Sequence, residues 1–501
     1  MVHSAYETVL DYSHRLVNLQ KIDQLLLWDG DVMMPPEGGQ ARAAQKEIIS
    51  TLRFELLRKD ELAGALSTLE DTELSGEQEA VVREIRREQQ SARQIPKELY
   101  NEISAVSAQA HEKWKKAKEA NDFSIWEPKL QEHFDLNRKK ATHFDDTVKP
   151  FESLWTNRIG YLTQPHISPE TVEQIFDELR ENLVPLIREI EEAETTTKLG
   201  PLSQEFDTET QSELAYDLLK QLGFEESRTR FDPAPVGYSY GTQFDVRMTA
   251  TFDEQDLLGG ILTALHEFGH TLYTQGLPQE HYGTPLGEPR GLAIHESQSH
   301  LIQNHIGRSR AFWEFARPTI VEYFPELSSL SVDDFYYAVN EVNTENPFDS
   351  RSDELTQQLH IMIRHEIERE VIDEGRPVEE IPSAYDEKAE HYFGTKPSES
   401  RKGPLRSPHW SSQLPGFATY TLGSVLATQF WAVLEEDVDN VDKHIRNGDL
   451  GPIRTWLTNN IHQHGQRYRA DDLIEEVTGE TASATPFISY AHNKYQDIYD
   501  I

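Results

Sequence analysis

Apolar residues recur along most of this chain at spacings of three and four, a pattern that predicts one helix after another. Val9, Leu10, Leu16, Val17, Leu19, Ile22, Leu25 and Leu26 mark an opening helix, which the Pro35-Pro36 pair ends. From Ala41 to about Ala120 the spacing stays helical with one highly charged face, broken near Leu74-Ser75-Gly76 and at Pro96. Further helices are expected over 127–160, 169–194 and 207–223. One stretch departs from this rhythm. Phe244, Val246, Met248, Ala250 and Phe252 alternate with polar residues, which is the period of a strand, and Gly237 to Gly241 before them predicts a turn or a preceding strand. A small β-hairpin or sheet is therefore expected just before the next helix, where an exposed strand edge would hold an extended peptide by main-chain hydrogen bonds.

Phe417 to Leu434 carries no formal charge and approaches the length of a membrane span. Thr419, Tyr420, Thr421, Ser424, Thr428 and Gln429 within it, and acidic residues just after it, mark it instead as a buried helix. No repeat, low-complexity tract or long linker interrupts the chain. The expected fold is mostly α: a single large helical domain over residues 1–501.

The helix expected over Leu257 to Leu277 carries the chemistry. Asp253 and Asp256 can cap its start, and Leu257, Leu258, Ile261, Leu262, Leu265, Phe268 and Leu272 form its apolar stripe. Gly276 followed by Pro278 stops it. Within it lies His266-Glu267-Phe268-Gly269-His270. Positions i and i+4 of a helix differ by about 40° around the axis and about 6 Å along it, so both imidazoles share a face and can share one ion. Glu267 would then reach the water on the open side of that ion as general base. The bland alternative is two ordinary histidines on a half-buried helix; the capped, amphipathic context favours the metal. Gly269 costs the helix about 1 kcal/mol relative to Ala, which is tolerable if another segment must come close there.

Catalytic zinc takes three protein ligands and one open position. The chain has no cysteine, so the third ligand is His, Asp or Glu, and disulfides and thiolate chemistry are excluded. Gly291 to His300 offers Glu296, with His295 and His300 as rivals. Glu296 is preferred, because two histidines and a glutamate from a following helix form a standard hydrolytic zinc set. His295 is assigned to orient Glu296 or the bound water.

The formal net charge is −39, from 87 acidic and 48 basic residues spread along the chain. Phosphate binding needs a basic face, so a nucleic-acid partner is excluded. An evenly acidic surface suits a high-salt cytoplasm, where ~1 M salt shortens the screening length to about 3 Å. The first residues show no basic segment leading into an apolar one, so no export signal is expected and the protein is placed in the cytoplasm, with no membrane association.

These motifs together resemble the thermostable, Taq-type family of zinc carboxypeptidases. Leu27-Trp-Asp-Gly-Asp-Val-Met-Met-Pro-Pro36 is similar to the family's N-terminal stretch, Asp245-Val-Arg-Met-Thr249 to its D-x-R-x-T motif, and His266 to His270 to its zinc motif. Gly283-Thr-Pro-Leu-Gly287 leading into His295-Glu-Ser-Gln-Ser299 is similar to its third-ligand motif. The resemblance implies an almost wholly helical fold with a long, deep active-site groove, a homodimer, and removal of C-terminal amino acids from peptides with broad tolerance. It also implies zinc, with cobalt as a competitor for such a site, and places Asp245, Arg247 and Thr249 on the substrate side. Two motifs depart from the family. Phe348-Asp-Ser-Arg-Ser-Asp353 stands where I-R-x-x-A-D is usual, so Asp349 replaces the arginine. Gly403-Pro-Leu-Arg-Ser-Pro-His-Trp410 keeps Gly403, His409 and Trp410 but replaces the Gln-Asp pair by Arg406-Ser407. An exopeptidase must hold the terminal carboxylate, most naturally with an arginine fork. Arg467 is the preferred clamp, ahead of Arg247, Arg351 and Arg406. His409 and Tyr420 are the candidates for a second oxyanion donor. Two other readings compete: a zinc oligopeptidase or dipeptidase with relaxed choice of chain end, and a peptide-binding homologue whose catalysis has decayed.

Overall fold

The computed structural model describes residues 2–157, 166–193, 202–344, 347–348, 353–412 and 414–501. Helices form where the periodicity predicts them. The opening helix runs Val2–Val32 and ends before the proline pair. The charged stretch after it forms Gly39–Leu57, Asp60–Thr68, Gly76–Gln94 and Lys97–Ala120. Its break at Arg58-Lys59 has no proline or glycine to announce it. The Arg58 guanidinium donates to the Ala92 carbonyl at 2.6 Å, so a tertiary contact holds the chain at that corner. Of the stretch expected over 127–160, the described residues form two helices, Glu127–Phe144 and Pro150–Thr156, and 158–160 lie outside the described residues. Pro150 opens the second, a first-turn position where its missing N–H costs nothing.

The chain forms two compact units, each assembled from separate stretches. The first comprises Met1–Ala92, Thr196–Asn340 and Gly423–Ala482, and the second Arg93–Thr195, Glu341–Leu422 and Ser483–Ile501. Interleaving of this kind leaves no linker in the sequence. In the second unit Trp126 and Trp410 stack, and the Trp126 indole N–H donates to Ser411 Oγ at 3.1 Å, so the polar end of a buried tryptophan is satisfied.

The first unit holds the sheet: β1 (Thr229–Pro233), β2 (Tyr238–Gly241) and β3 (Val246–Ala250), in the order β1-β3-β2. β3 runs parallel to β1 and antiparallel to β2. Val246, Met248 and Ala250 point into the core as the alternation predicts. Phe244 does not. Thr242 and Asp245 close a turn there, N to O at 2.9 Å, which leaves the Phe244 ring 48% exposed. β3 is also the central strand, so neither of its edges is available to a peptide; the free edges belong to β1 and β2.

The helix after the sheet runs Leu257–Gly276. Asp256 caps it, Oδ1 accepting from Gly259 N at 2.8 Å. It packs against β2, β3 and the helices Thr208–Gln221 and Gly291–His300, and is buried on nearly every side. Each of its buried Leu, Ile and Phe side chains contributes roughly 1.5–3 kcal/mol, so this helix is among the most firmly seated elements of the unit. Its end is set by contact. A Cβ on Gly276 would lie 2.2 Å from His462 Nδ1. The uncharged stretch near residue 420 is the helix Ala418–Asp437. Among the described residues no helix is long and apolar enough to cross a membrane.

Candidate metal centre

Two helices each offer donors four residues apart. Leu257–Gly276 brings His266 and His270, and Gly291–His300 brings Glu296 and His300. They meet at Glu296 Oε2, which lies 3.5 Å from His266 Nε2, 3.7 Å from His270 Nε2 and 4.0 Å from His300 Nε2. Tetrahedral ligation with bonds of about 2.0–2.1 Å separates donors by roughly 3.4 Å, so these spacings fit one ion after a small contraction. Glycines allow the approach. A Cβ on Gly269 would sit 2.5 Å from the Gln298 carbonyl oxygen, and one on Gly423 would sit 2.4 Å from Glu296 Cβ.

Which imidazoles ligate is decided by their protons. By distance alone the tightest group is His266, Glu296 and His300, all within 4.8 Å of one another. Yet His270 approaches Glu296 more closely than His300 does. His266 Nδ1 lies 2.9 Å from Gln303 Oε1, an oxygen that only accepts, so the proton sits on Nδ1 and Nε2 is bare. His270 Nδ1 meets the main chain of His295 without closing a hydrogen bond. His300 differs, because Asn304 Nδ2 lies 3.3 Å from its Nδ1 and occupies that nitrogen's lone pair. His266 and His270 thus turn Nε2 toward Glu296 Oε2 at 3.5 and 3.7 Å, while His300 is engaged at its other nitrogen by the Asn304 amide. His295 packs on His270: the two rings stack at 4.1 Å with 13° between their planes.

Burial keeps these groups uncharged. It pushes His266 down to about 4, against the pull of its Gln303 hydrogen bond, and His295 down to about 3. His270 and His300 also fall well below the usual imidazole value, through burial and neighbouring imidazoles. Burial raises Glu296 to about 7, and burial together with the Glu296 charge raises Glu267 well above the carboxylate range. Neither carboxylate pairs with a lysine or arginine among the described residues, and Glu267 Oε2 is buried without a hydrogen-bond partner. Two acids facing neutral imidazoles with no cation beside them are costly unless a divalent ion supplies the charge. His266 keeps 21% of its side chain exposed against 7% for His270, so the centre opens on the His266 side.

The edge strand β2 runs beside this centre. A Cβ on Gly237 would lie 3.2 Å from Glu267 Oε1. Tyr240 on β2 is raised to about 12 by burial and then by Glu267 and Glu296, so its phenol stays protonated beside both acids. Neither Tyr240 nor Gln303 stands out in the sequence: each lies outside a recognisable motif, and only the fold brings it to the centre.

The other predicted residues take varied places. Asp245 and Arg247 pair with each other at 2.6 Å, and the Arg247 guanidinium lies over the Trp28 ring, 4.5 Å from its centroid. Thr249 is fully buried, its hydroxyl donating to the Val236 carbonyl at 2.9 Å and accepting from Tyr238 N at 3.1 Å. Its role is to hold β2 in place. Arg467 pairs with Glu77 in a surface cleft lined by Glu79, Arg83 and Asp472, which contains none of the metal donors. Arg351 lies outside the described residues. His409 and Tyr420 belong to the second unit, where His409 Nε2 meets the Tyr420 hydroxyl at 2.8 Å. Burial and then the Arg364 charge push His409 down to about 4. Arg406, in the same unit, is lowered by burial and by Arg364.

Comparison with known proteins now decides the family. The sequence profile of carboxypeptidase Taq (M32) metallopeptidases matches residues 8–495. The chain belongs to this family. It is 32% identical to thermostable carboxypeptidase 1 of Thermus thermophilus and 30% identical to carboxypeptidase 1 of Bacillus subtilis, over 99% of each chain in both cases. Its structure superposes on the M32 carboxypeptidase of Deinococcus radiodurans with a TM-score of 0.93 at 30% identity, covering 99% of this chain and 100% of the other. The protein is thus a peptide hydrolase of the metallocarboxypeptidase class, and the family implies a divalent metal at the His–Glu centre.

Proposed function

We propose that this protein is a zinc carboxypeptidase in which His266, His270 and Glu296 hold the ion and Glu267 is the general base. The observation that carries the reading is the pair of buried carboxylates beside the bare His266 nitrogen, with no lysine or arginine among the described residues paired to them. Zinc fits the two-nitrogen, one-oxygen set, and cobalt competes for it by availability. When bound, zinc supplies a Lewis acid that polarises the scissile carbonyl and lowers the pKa of a water toward ~7.

The residues of the chain do the rest. Glu267, already basic through burial, takes the proton of the attacking water and passes it to the leaving amine. The Gln303 carbonyl fixes the His266 tautomer, and the ring of His295 fixes the plane of His270. β2 supports the substrate as an edge strand of the small sheet. Tyr240 offers a neutral O–H beside the reacting groups. The acidic surface and the absence of cysteine support a cytoplasmic enzyme suited to high salt.

Selection of the chain end is tested with one peptide series prepared as free acids and as C-terminal amides. Mass spectrometry is expected to show stepwise loss of single residues from the free acids, with the amides left intact. Equal cleavage of both forms would replace this reading by a relaxed oligopeptidase. Stoichiometric zinc without turnover of any peptide would replace it by a binding protein.

A further inference from the structure

Beside the stacked His295, the proposed ligand set leaves the imidazole of His300 without a role. His300 lies four residues beyond Glu296, its Nε2 4.0 Å from Glu296 Oε2. That is longer than a hydrogen bond and short enough for one to close on a small turn of the carboxylate. The other nitrogen of His300 is already committed. Arg308 Nε donates to Asn304 Oδ1 at 3.2 Å, which fixes the amide with its NH2 group toward His300 Nδ1, 3.3 Å away. An NH2 group only donates, so Nδ1 accepts and the single proton of the neutral ring sits on Nε2, on the side of the carboxylate. Arg308 is anchored in turn: its Nη1 donates to the Val339 carbonyl, and its own carbonyl accepts from Asn340 Nδ2 at 2.9 Å.

Glu296, His300, Asn304 and Arg308 therefore form a column of four-residue steps. It runs along the helix Gly291–His300, through the π-helical turn Leu301–Ile306 and just past it. π-turns inside helices recur at functional sites. Every donor in the column points the same way, from Arg308 toward Glu296, an arrangement in which each bond polarises the next. Gly423 closes the side of the column, since a Cβ there would lie 2.4 Å from Glu296 Cβ and 3.3 Å from His300 Cδ2.

We propose that His300 is a positioning residue that donates its Nε2 proton to the Glu296 carboxylate, so that the column from Arg308 sets the orientation of the metal-binding glutamate. This rests on the metal site proposed above. A ligating carboxylate keeps lone pairs free of the metal, and an outer partner fixes its orientation and basicity. The rival assignment makes His300 itself a ligand alongside His266 and Glu296. That assignment needs the opposite tautomer, with Nε2 bare.

Asn304→Asp separates the two. The new carboxylate accepts from His300 Nδ1, draws the proton there and strips Nε2. Zinc affinity is measured by competition with a chromophoric chelator, alongside the visible spectrum of the cobalt-loaded protein and metal-free thermal melts. The column predicts that Asn304→Asp weakens zinc by roughly tenfold or more. It predicts the same for His300→Ala, recovery in His300→Gln, whose amide can still donate, and cobalt band positions unchanged in the variants. Metal-free melting should stay near wild type. Zinc binding in Asn304→Asp equal to or tighter than wild type would overturn the proposal, as would wild-type affinity in His300→Ala. A wild type that takes up no zinc would fail the metal-site reading first, before any comparison of variants.

Discussion

Gly269 faces the Gln298 carbonyl so closely that a methyl group on it would stand 2.5 Å from the oxygen and 2.6 Å from Ser299 Cα. This contact lets the two metal-bearing helices touch at the level of their donors. Both obstacles are main-chain atoms, which cannot rotate aside.

Gly269→Ala therefore sets two effects against each other. The helix gains about 1 kcal/mol in propensity, while overpacking a tight helix contact costs about 1–3 kcal/mol. The expected outcome is a net loss of thermal stability together with weaker zinc binding, measured by melting with and without metal. A more stable variant with unchanged zinc affinity would mean the helices are free to part.

Gln303 sets the His266 tautomer through its side-chain oxygen, 2.9 Å from Nδ1. Gln303→Leu removes the acceptor at similar volume. Zinc affinity is expected to fall by about 10–100-fold with little change in the far-ultraviolet dichroism. Chelator competition provides the number, and an unchanged affinity would show that His266 needs no outer partner.

The motif helix, its cap and the meeting of His266, His270 and Glu296 at one place are legible in the sequence, because each depends on spacing along one or two adjacent helices. The need for a small residue at Gly269 is legible for the same reason. What the sequence hides is long-range. β1 is too short and too polar to announce itself, and its pairing makes β3 central. Thr249 reads as a substrate residue from its motif, yet its hydroxyl is consumed by the turn into β2. Arg467 reads as a free clamp, yet a salt bridge to Glu77 occupies it. Glu77 lies 390 positions from Arg467, and the 11 to 13 positions between Thr249 and its partners span a strand pairing that no local pattern spells out.

Glu84 and Arg290 form a buried pair at 2.8 Å, just before the helix that carries Glu296. Burial pushes the Glu84 carboxyl up, but Arg290, Arg87 and Arg83 overcome it and hold the group well below its ordinary 4.5. A depressed carboxylate adds stability above its unfolded value, and that stability is lost as the pH falls below 4.5 toward the folded value. Glu84→Gln leaves Arg290 buried and uncompensated, at a cost of about 3–5 kcal/mol near neutrality. Melting curves of wild type and variant, far apart at pH ~7, should draw steadily closer as the pH falls from 4.5 through ~3. A constant gap across that range would show that the pair contributes nothing through ionisation.

The net charge of −39 gives a prediction for salt. Self-repulsion of an evenly acidic surface is screened as ionic strength rises, and at ~1 M only charges within about 3 Å still interact freely. The melting temperature and peptide turnover are both expected to rise with potassium chloride up to at least that concentration. A flat or falling response would mark an acidic protein without adaptation to salt.

In the proposed reaction His266, His270 and Glu296 hold one zinc ion, and Glu267 acts on water without binding the metal. Elemental analysis of Glu267→Gln and Glu296→Ala, loaded and desalted side by side with wild type, tests it most directly. About one zinc per chain is expected in wild type and in Glu267→Gln, the latter with turnover reduced by about 10²–10⁴-fold, and little or none in Glu296→Ala. One zinc per chain retained in Glu296→Ala, or zinc lost from Glu267→Gln, would contradict it.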